Sequence, residues 1–187
     1  MTAPPSPPVR GGHPAHHSGT GNHPITRVVI HSAVMDCQPG AAELLAKWNR
    51  EGTTAGSWHY AVDPTATLQC SFDRYVCWHA PPNGHSIGIE MADRPSSISG
   101  ARWLTLNQRR TLRRTAKLTA ELCVAYELPL VLLNVEALRA GRKGIATHAT
   151  VSAAFGQSSH WDPGKWPADK FLRMVRKYAN TIKENNP

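Results

Sequence analysis

Residues 25–33, ITRVVIHSA, limit the fold more than any other stretch of the chain. Val28, Val29 and Ile30 form a β-branched run bounded by polar residues, which predicts a buried strand. That run ends on His31, where an apolar residue would have continued it. A second short strand is predicted over HSIGIEMAD (85–93), with Ile87 and Ile89 on one face and Gly88 and Glu90 on the other. A carboxylate in a mostly buried strand is costly unless it is paired or functional, so Glu90 needs a reason to be there.

Helical patterns alternate with these strands. QPGAAELLAKWNREG reads as a helix with Pro39 near its first turn, Leu44, Leu45 and Trp48 as its stripe, and Gly52 as its stop. SWHYAVDPTATLQCSFD reads as a hairpin turning at DPTA. The longest helix is expected over 106–126, opened by a Thr105/Gln108 capping box, with Leu112, Ala116, Thr119, Cys123 and Glu127 in one line. EALRAGRKG is turn-rich, IATHATVS is a short extended segment carrying His148, and PADKFLRMVRKYANTIKEN is a closing amphipathic helix. The expectation is a single α/β domain with a central mixed β-sheet flanked by helices, and 187 residues are enough for one core. Residues 1–24 are rich in Pro, Gly and His and are expected to be an extended arm, with the folded domain over 25–187.

Several functional classes drop out. No apolar run approaches the roughly 18 residues that span a bilayer, so no membrane insertion is expected. The N-terminus has no apolar core of the kind a secretory signal carries. The formal charge of +8 is concentrated in NQRRTLRRTAKL, where Arg109, Arg110, Arg113, Arg114 and Lys117 share a helix face. Such a face is either simply solvated or drawn to a polyanion. No nucleic-acid-binding motif accompanies it, and no nucleic-acid partner is expected. The four cysteines contain no CxxC pair; Cys123 falls on an apolar helix face, and Cys37, Cys70 and Cys77 are candidates for a disulfide.

The residues that local structure leaves unexplained are His31, Glu90, His148 and the segment HWDPG with His160 and Asp162. Two imidazoles and a carboxylate, with a fourth position open to water, make a common catalytic zinc arrangement. Spacing alone leaves open whether His160 or Asp162 is the carboxylate-segment ligand, because residues i and i+2 of an extended segment face the same way. Glu90 suits a general base. CWHAPPNGHS places Trp78 and His79 on a Pro/Gly-stiffened loop suited to a groove wall.

In order along the chain, RVVIHSA, SWHYAVDPTATLQ, CWHA, SIGIEM, TLNQRRTLRRTAKLTAEL, GIATHATVS and HWDPGKWP resemble the type 2 N-acetylmuramoyl-L-alanine amidases. This zinc amidase family also includes the peptidoglycan recognition proteins. The pattern looks most like actinobacterial and phage members, including endolysins. The resemblance covers residues 25 to about 175. It implies a Zn2+ ion in a surface groove, held by His31, His148 and Asp162, and hydrolysis of the amide joining the lactyl group of N-acetylmuramic acid to L-alanine of the stem peptide. Glu90 matches an acid/base glutamate of some branches. His160 stands where several relatives carry an oxyanion-stabilising lysine, so its contribution would depend on pH. Trp58 stands where some branches have a catalytic tyrosine. Trp58, His59, Trp78 and His79 are the expected substrate contacts. The implied partner is peptidoglycan, acted on by a monomer. An endolysin of this kind would be made in the host cytoplasm and reach the wall after the membrane is permeabilised. The same scaffold also serves as a non-catalytic wall binder, although such relatives typically lose a zinc ligand and none is lost here.

Overall fold

The computed structural model describes residues 13–21, 23–33, 35–93 and 105–185. Its centre is a mixed five-stranded sheet in the order β4 (Thr67–Gln69), β3 (Tyr60–Val62), β6 (Ser86–Met91), β2 (Arg27–Ser32) and β7 (Gly144–Thr147). β2 runs parallel to β6 and β7, β3 runs parallel to β6, and only β4 is antiparallel to its neighbour. Flanking the sheet are α1 (Ala41–Glu51), α2 (Leu106–Ala125), α3 (Val135–Arg139), α4 (His148–Phe155) and α5 (Ala168–Asn185). Among the described residues no helix is long and apolar enough to cross a membrane.

The two-residue period of the strands sorts the side chains into layers. Val28, Ile30, Ile87, Ile89, Met91 and Ile145 pack with α2 and α5 into the main core. α5 contributes Phe171, Val175 and Ala179, one per helical turn and each wholly buried. The opposite face is divided. α1 covers the β3–β4 end with Leu45, Ala42 and Ala46, and α3 and α4 cover the β7 end with Leu138 and Val151. Between these two blocks a groove opens over the C-terminal ends of the middle strands, β2 and β6. His31 and Glu90 are register partners there, so their side chains share that face.

Local chemistry explains most boundaries. Thr105 and Gln108 form the expected capping box on α2. Glu127 lies past the end of that helix with φ 52, rather than on its buried line. α1 begins at Gly40, which offers no side-chain cap; the N–H of Ala42 instead donates to the carboxylate of Asp63 in the β3–β4 turn, 3.1 Å away. His148 corrects the sequence reading. It does not sit in an extended segment but opens α4, because Thr147 caps that helix by accepting from the Thr150 N–H at 3.1 Å. The five-residue α3 occupies part of the stretch expected to be turn. Among the described residues, Cys37, Cys70 and Cys77 form no disulfide with one another.

The described part of the N-terminal arm is tied to the domain. β1 (His17–Thr20) pairs antiparallel with β5 (Tyr75–Cys77). His13 and His17 pack edge-on against Tyr75, and His16 stacks on Trp78 at 5.4 Å.

Candidate active site and metal centre

Three chain segments converge on the groove over the C-terminal ends of β2 and β6. His31 comes from the C-terminal end of β2 and His148 from the first turn of α4. Asp162 lies in the loop before α5, where Gly164 (φ 70) turns the chain and donates its N–H to Trp161 O. The Ala149 N–H donates to the Asp162 backbone carbonyl at 3.0 Å, joining two of these segments. His31, His148 and Asp162 each offer one ligand atom, and these atoms lie within 4.8 Å of one another. His31 Nδ1 is 3.4 Å from Asp162 Oδ2, and His148 Nδ1 is 3.1 Å from Asp162 Oδ1. The Ser32 N–H also donates to Asp162 Oδ2, at 3.2 Å. Burial alone would raise the Asp162 carboxyl, but the His148 and His31 imidazoles beside it outweigh that and hold it well below the carboxylate range. Burial lowers His31, opposed in part by Asp162, which favours the neutral imidazole that a metal requires.

His160 is divided from Asp162 by exposure. Its ring is 66% exposed, stacks on His148 at 4.4 Å, and approaches Asp162 Oδ1 only to 3.8 Å. Asp162 therefore joins the convergent cluster and His160 stands at its rim. Glu90 is half-buried beside them, and among the described residues no hydrogen bond or ion pair reaches its carboxylate. Burial first, and then the Asp162 charge, push this carboxyl well above its usual range.

These groups floor a groove of about 440 Å3 whose walls include Trp48, Trp58, Trp78, Thr54 and Gly56. Trp58 is buried against α1, whereas Trp78 is 41% exposed and held by a 2.7 Å hydrogen bond from its indole N–H to Ser18. Two expected substrate contacts are placed differently. His59 is wholly buried; its Nδ1 accepts the Gly88 N–H and its Nε2 lies 3.0 Å from Tyr75 O, so it ties β6 to β5 and does not face the groove. His79 touches the groove but is 8% exposed, with Nδ1 3.0 Å from His31 Nε2, so its main neighbour is the His31 ring. Sequence reasoning passed over Ser86, Asn83 and Ser158, which surround the histidines; Ser158 Oγ lies 3.3 Å from His148 Nε2. Isolated small polar residues carry no periodic signal that would single them out.

A family model described as N-acetylmuramoyl-L-alanine amidase matches residues 21–165. No curated protein matches the chain. Among solved structures, the chain is similar in fold to the Staphylococcus aureus hydrolase AmiA in complex with its ligand, with 17% identity, a TM-score of 0.68, and 95% of this chain and 87% of that one covered. It is also similar to the N-acetylmuramoyl-L-alanine amidase LysC from Clostridium intestinale, with 13% identity, a TM-score of 0.58, and 91% and 99% covered. A third similar fold is the catalytic domain of XlyA, with 18% identity, a TM-score of 0.56, and 90% and 94% covered.

Proposed function

The chain belongs to the N-acetylmuramoyl-L-alanine amidase family, and from that premise we propose a zinc-dependent peptidoglycan hydrolase that serves as a phage endolysin in host lysis. The bond cut is the amide between the lactyl group of N-acetylmuramic acid and L-alanine of the stem peptide. The observation that carries this reading is the convergence of His31, His148 and Asp162 within 4.8 Å on the floor of a groove, beside Glu90, whose carboxylate meets no partner among the described residues.

The donor set fits the ion. Two imidazole nitrogens and one carboxylate, buried behind but open toward the groove, match a catalytic zinc site, whereas structural sites close with four protein ligands. When bound, zinc lowers the pKa of water to roughly 7 and polarises a carbonyl.

The chain's own residues supply the rest. Glu90, whose carboxyl is raised by burial, is suited to take a proton from the attacking water and pass it to the leaving amine. His160, exposed at the rim and stacked on His148, is placed to donate a hydrogen bond to the developing oxyanion. Trp78 offers a flat, half-exposed face on the groove wall for sugar or peptide. Trp58 cannot exchange a proton, which leaves the acid/base work to Glu90.

Incubation with purified peptidoglycan should release new L-alanine amino termini. A chelator should abolish that release, and added zinc should restore it. Reducing sugar in place of amino termini would mean glycosidase chemistry and sink the amidase assignment. Tight wall binding without any turnover would leave only a recognition protein.

A further inference from the structure

We propose that His79, Ser86 and the backbone carbonyl of Asn83 form a one-way hydrogen-bond chain that fixes the tautomer of His31 and presents its Nδ1 lone pair toward the groove. The inference rests on the reading of His31 as a metal ligand. It assigns His79 a positioning role in place of a substrate contact.

The polarity of the chain follows from its far end. Ser86 Oγ lies 2.7 Å from Asn83 O, a group that can only accept. The single hydroxyl proton therefore goes to Asn83, and the Ser86 oxygen accepts from His79 Nε2, 3.1 Å away. A neutral imidazole carries one N–H, so His79 Nδ1 is left as an acceptor. It faces His31 Nε2 at 3.0 Å, which must donate. His31 Nδ1 is then bare, and it is this atom that points at Asp162 and the convergent site. Reversing the polarity leaves the Asn83 carbonyl without the Ser86 proton and places a hydrogen on His31 Nδ1, where it blocks a metal. The two arrangements exclude each other.

Metal-binding histidines usually hand their second N–H to a carboxylate, a carbonyl or water. Here the acceptor is another imidazole, which has two tautomers of its own, and Ser86 and Asn83 remove that ambiguity. The loop is built to hold them. Asn83 Oδ1 accepts from the N–H groups of His79 and Ala80 at 3.0 and 2.9 Å, and Arg27 donates to the carbonyls of Pro82 and Gly84. Gly88 supplies the space, since a Cβ there would lie 2.7 Å from His79 Cγ.

Nitrogen-15 NMR of the imidazoles, in metal-free and zinc-loaded protein, reads the tautomers directly. Zinc affinity is measured in parallel by competition with a chromophoric chelator, on variants whose folding is checked by circular dichroism. His79 should carry its hydrogen on Nε2 in both forms. His79→Phe should weaken zinc binding by about 10–100-fold. His79→Asn, whose amide oxygen replaces Nδ1 as acceptor, should recover most of the loss. Ser86→Ala should weaken zinc several-fold and mix the His79 tautomers; this variant and the wild-type spectrum decide the matter where His79→Phe fails to fold. A hydrogen found on His79 Nδ1, or full zinc affinity in both His79→Phe and Ser86→Ala, overturns the proposal. Wild-type protein that takes up no zinc would overturn the metal reading instead, while the His79 tautomer would still report the chain's polarity.

Discussion

Glu90 shows what the site costs at the scale of one residue. Its carboxyl is raised by burial and by Asp162, so the folded chain keeps a proton there over a range in which the unfolded chain has already lost it. Whatever stability the group contributes is present below its ordinary value of 4.5 and is lost as pH rises toward the raised folded value. Metal-free Glu90→Gln should therefore melt higher than the wild type at pH 7, with the gap shrinking toward pH 4. The same variant should bind zinc normally and lose about 10²–10⁴-fold in turnover, the usual share of a general base. Melts across pH, a zinc titration and an amidase assay check the three parts; near-normal lysis would remove the base assignment. The need for a reason behind Glu90 was legible from its place between Ile89 and Met91. The neighbour that shifts it, Asp162, was not, because 72 residues of chain separate them.

At the scale of elements, two devices reach across the fold. Asp63 accepts from Thr65 and Ala66 in its own turn and from Ala42 at the start of α1, and it is wholly buried. Losing these charge-assisted bonds in Asp63→Ala should cost about 2–3 kcal/mol, and Asp63→Asn should cost less. Urea denaturation of the three proteins measures the difference. The other device is β1, which pairs with β5 while Ser18 and His16 hold the Trp78 indole. Removing residues 1–20 should raise KM several-fold on soluble muropeptide with little change in kcat. A fall in kcat at unchanged KM would show that the arm serves the chemistry and not the groove wall. The capping box of α2 was readable because both partners lie within one turn. The cap of α1 and the pairing of β1 were not, since each depends on a partner brought close only by folding.

Across the whole molecule, charge and chemistry lie on opposite sides of the sheet. The exposed residues of α2 include Arg109, Arg110, Arg113, Arg114 and Lys117, and those of α5 include Lys170, Arg173, Arg176 and Lys177. Both helices cover the face away from His31 and Glu90. A basic layer of this kind attracts anionic wall polymers through a field that salt screens over about 10 Å at 0.1 M. Sedimentation with purified walls should show binding that falls steeply with added salt, and glutamine at the four α2 arginines should weaken it while leaving turnover of soluble fragments intact. Salt-insensitive binding would count against this. The sequence by itself determined the alternation of strands and helices, the apolar faces and the residue types fit to bind a metal, because periodicity and side-chain chemistry are local properties. Only the tertiary structure decided that Asp162 enters the cluster while His160 stays at the rim, that His148 opens a helix, and that His79 backs His31. Those choices depend on distances between segments far apart in the chain, and packing alone sets such distances.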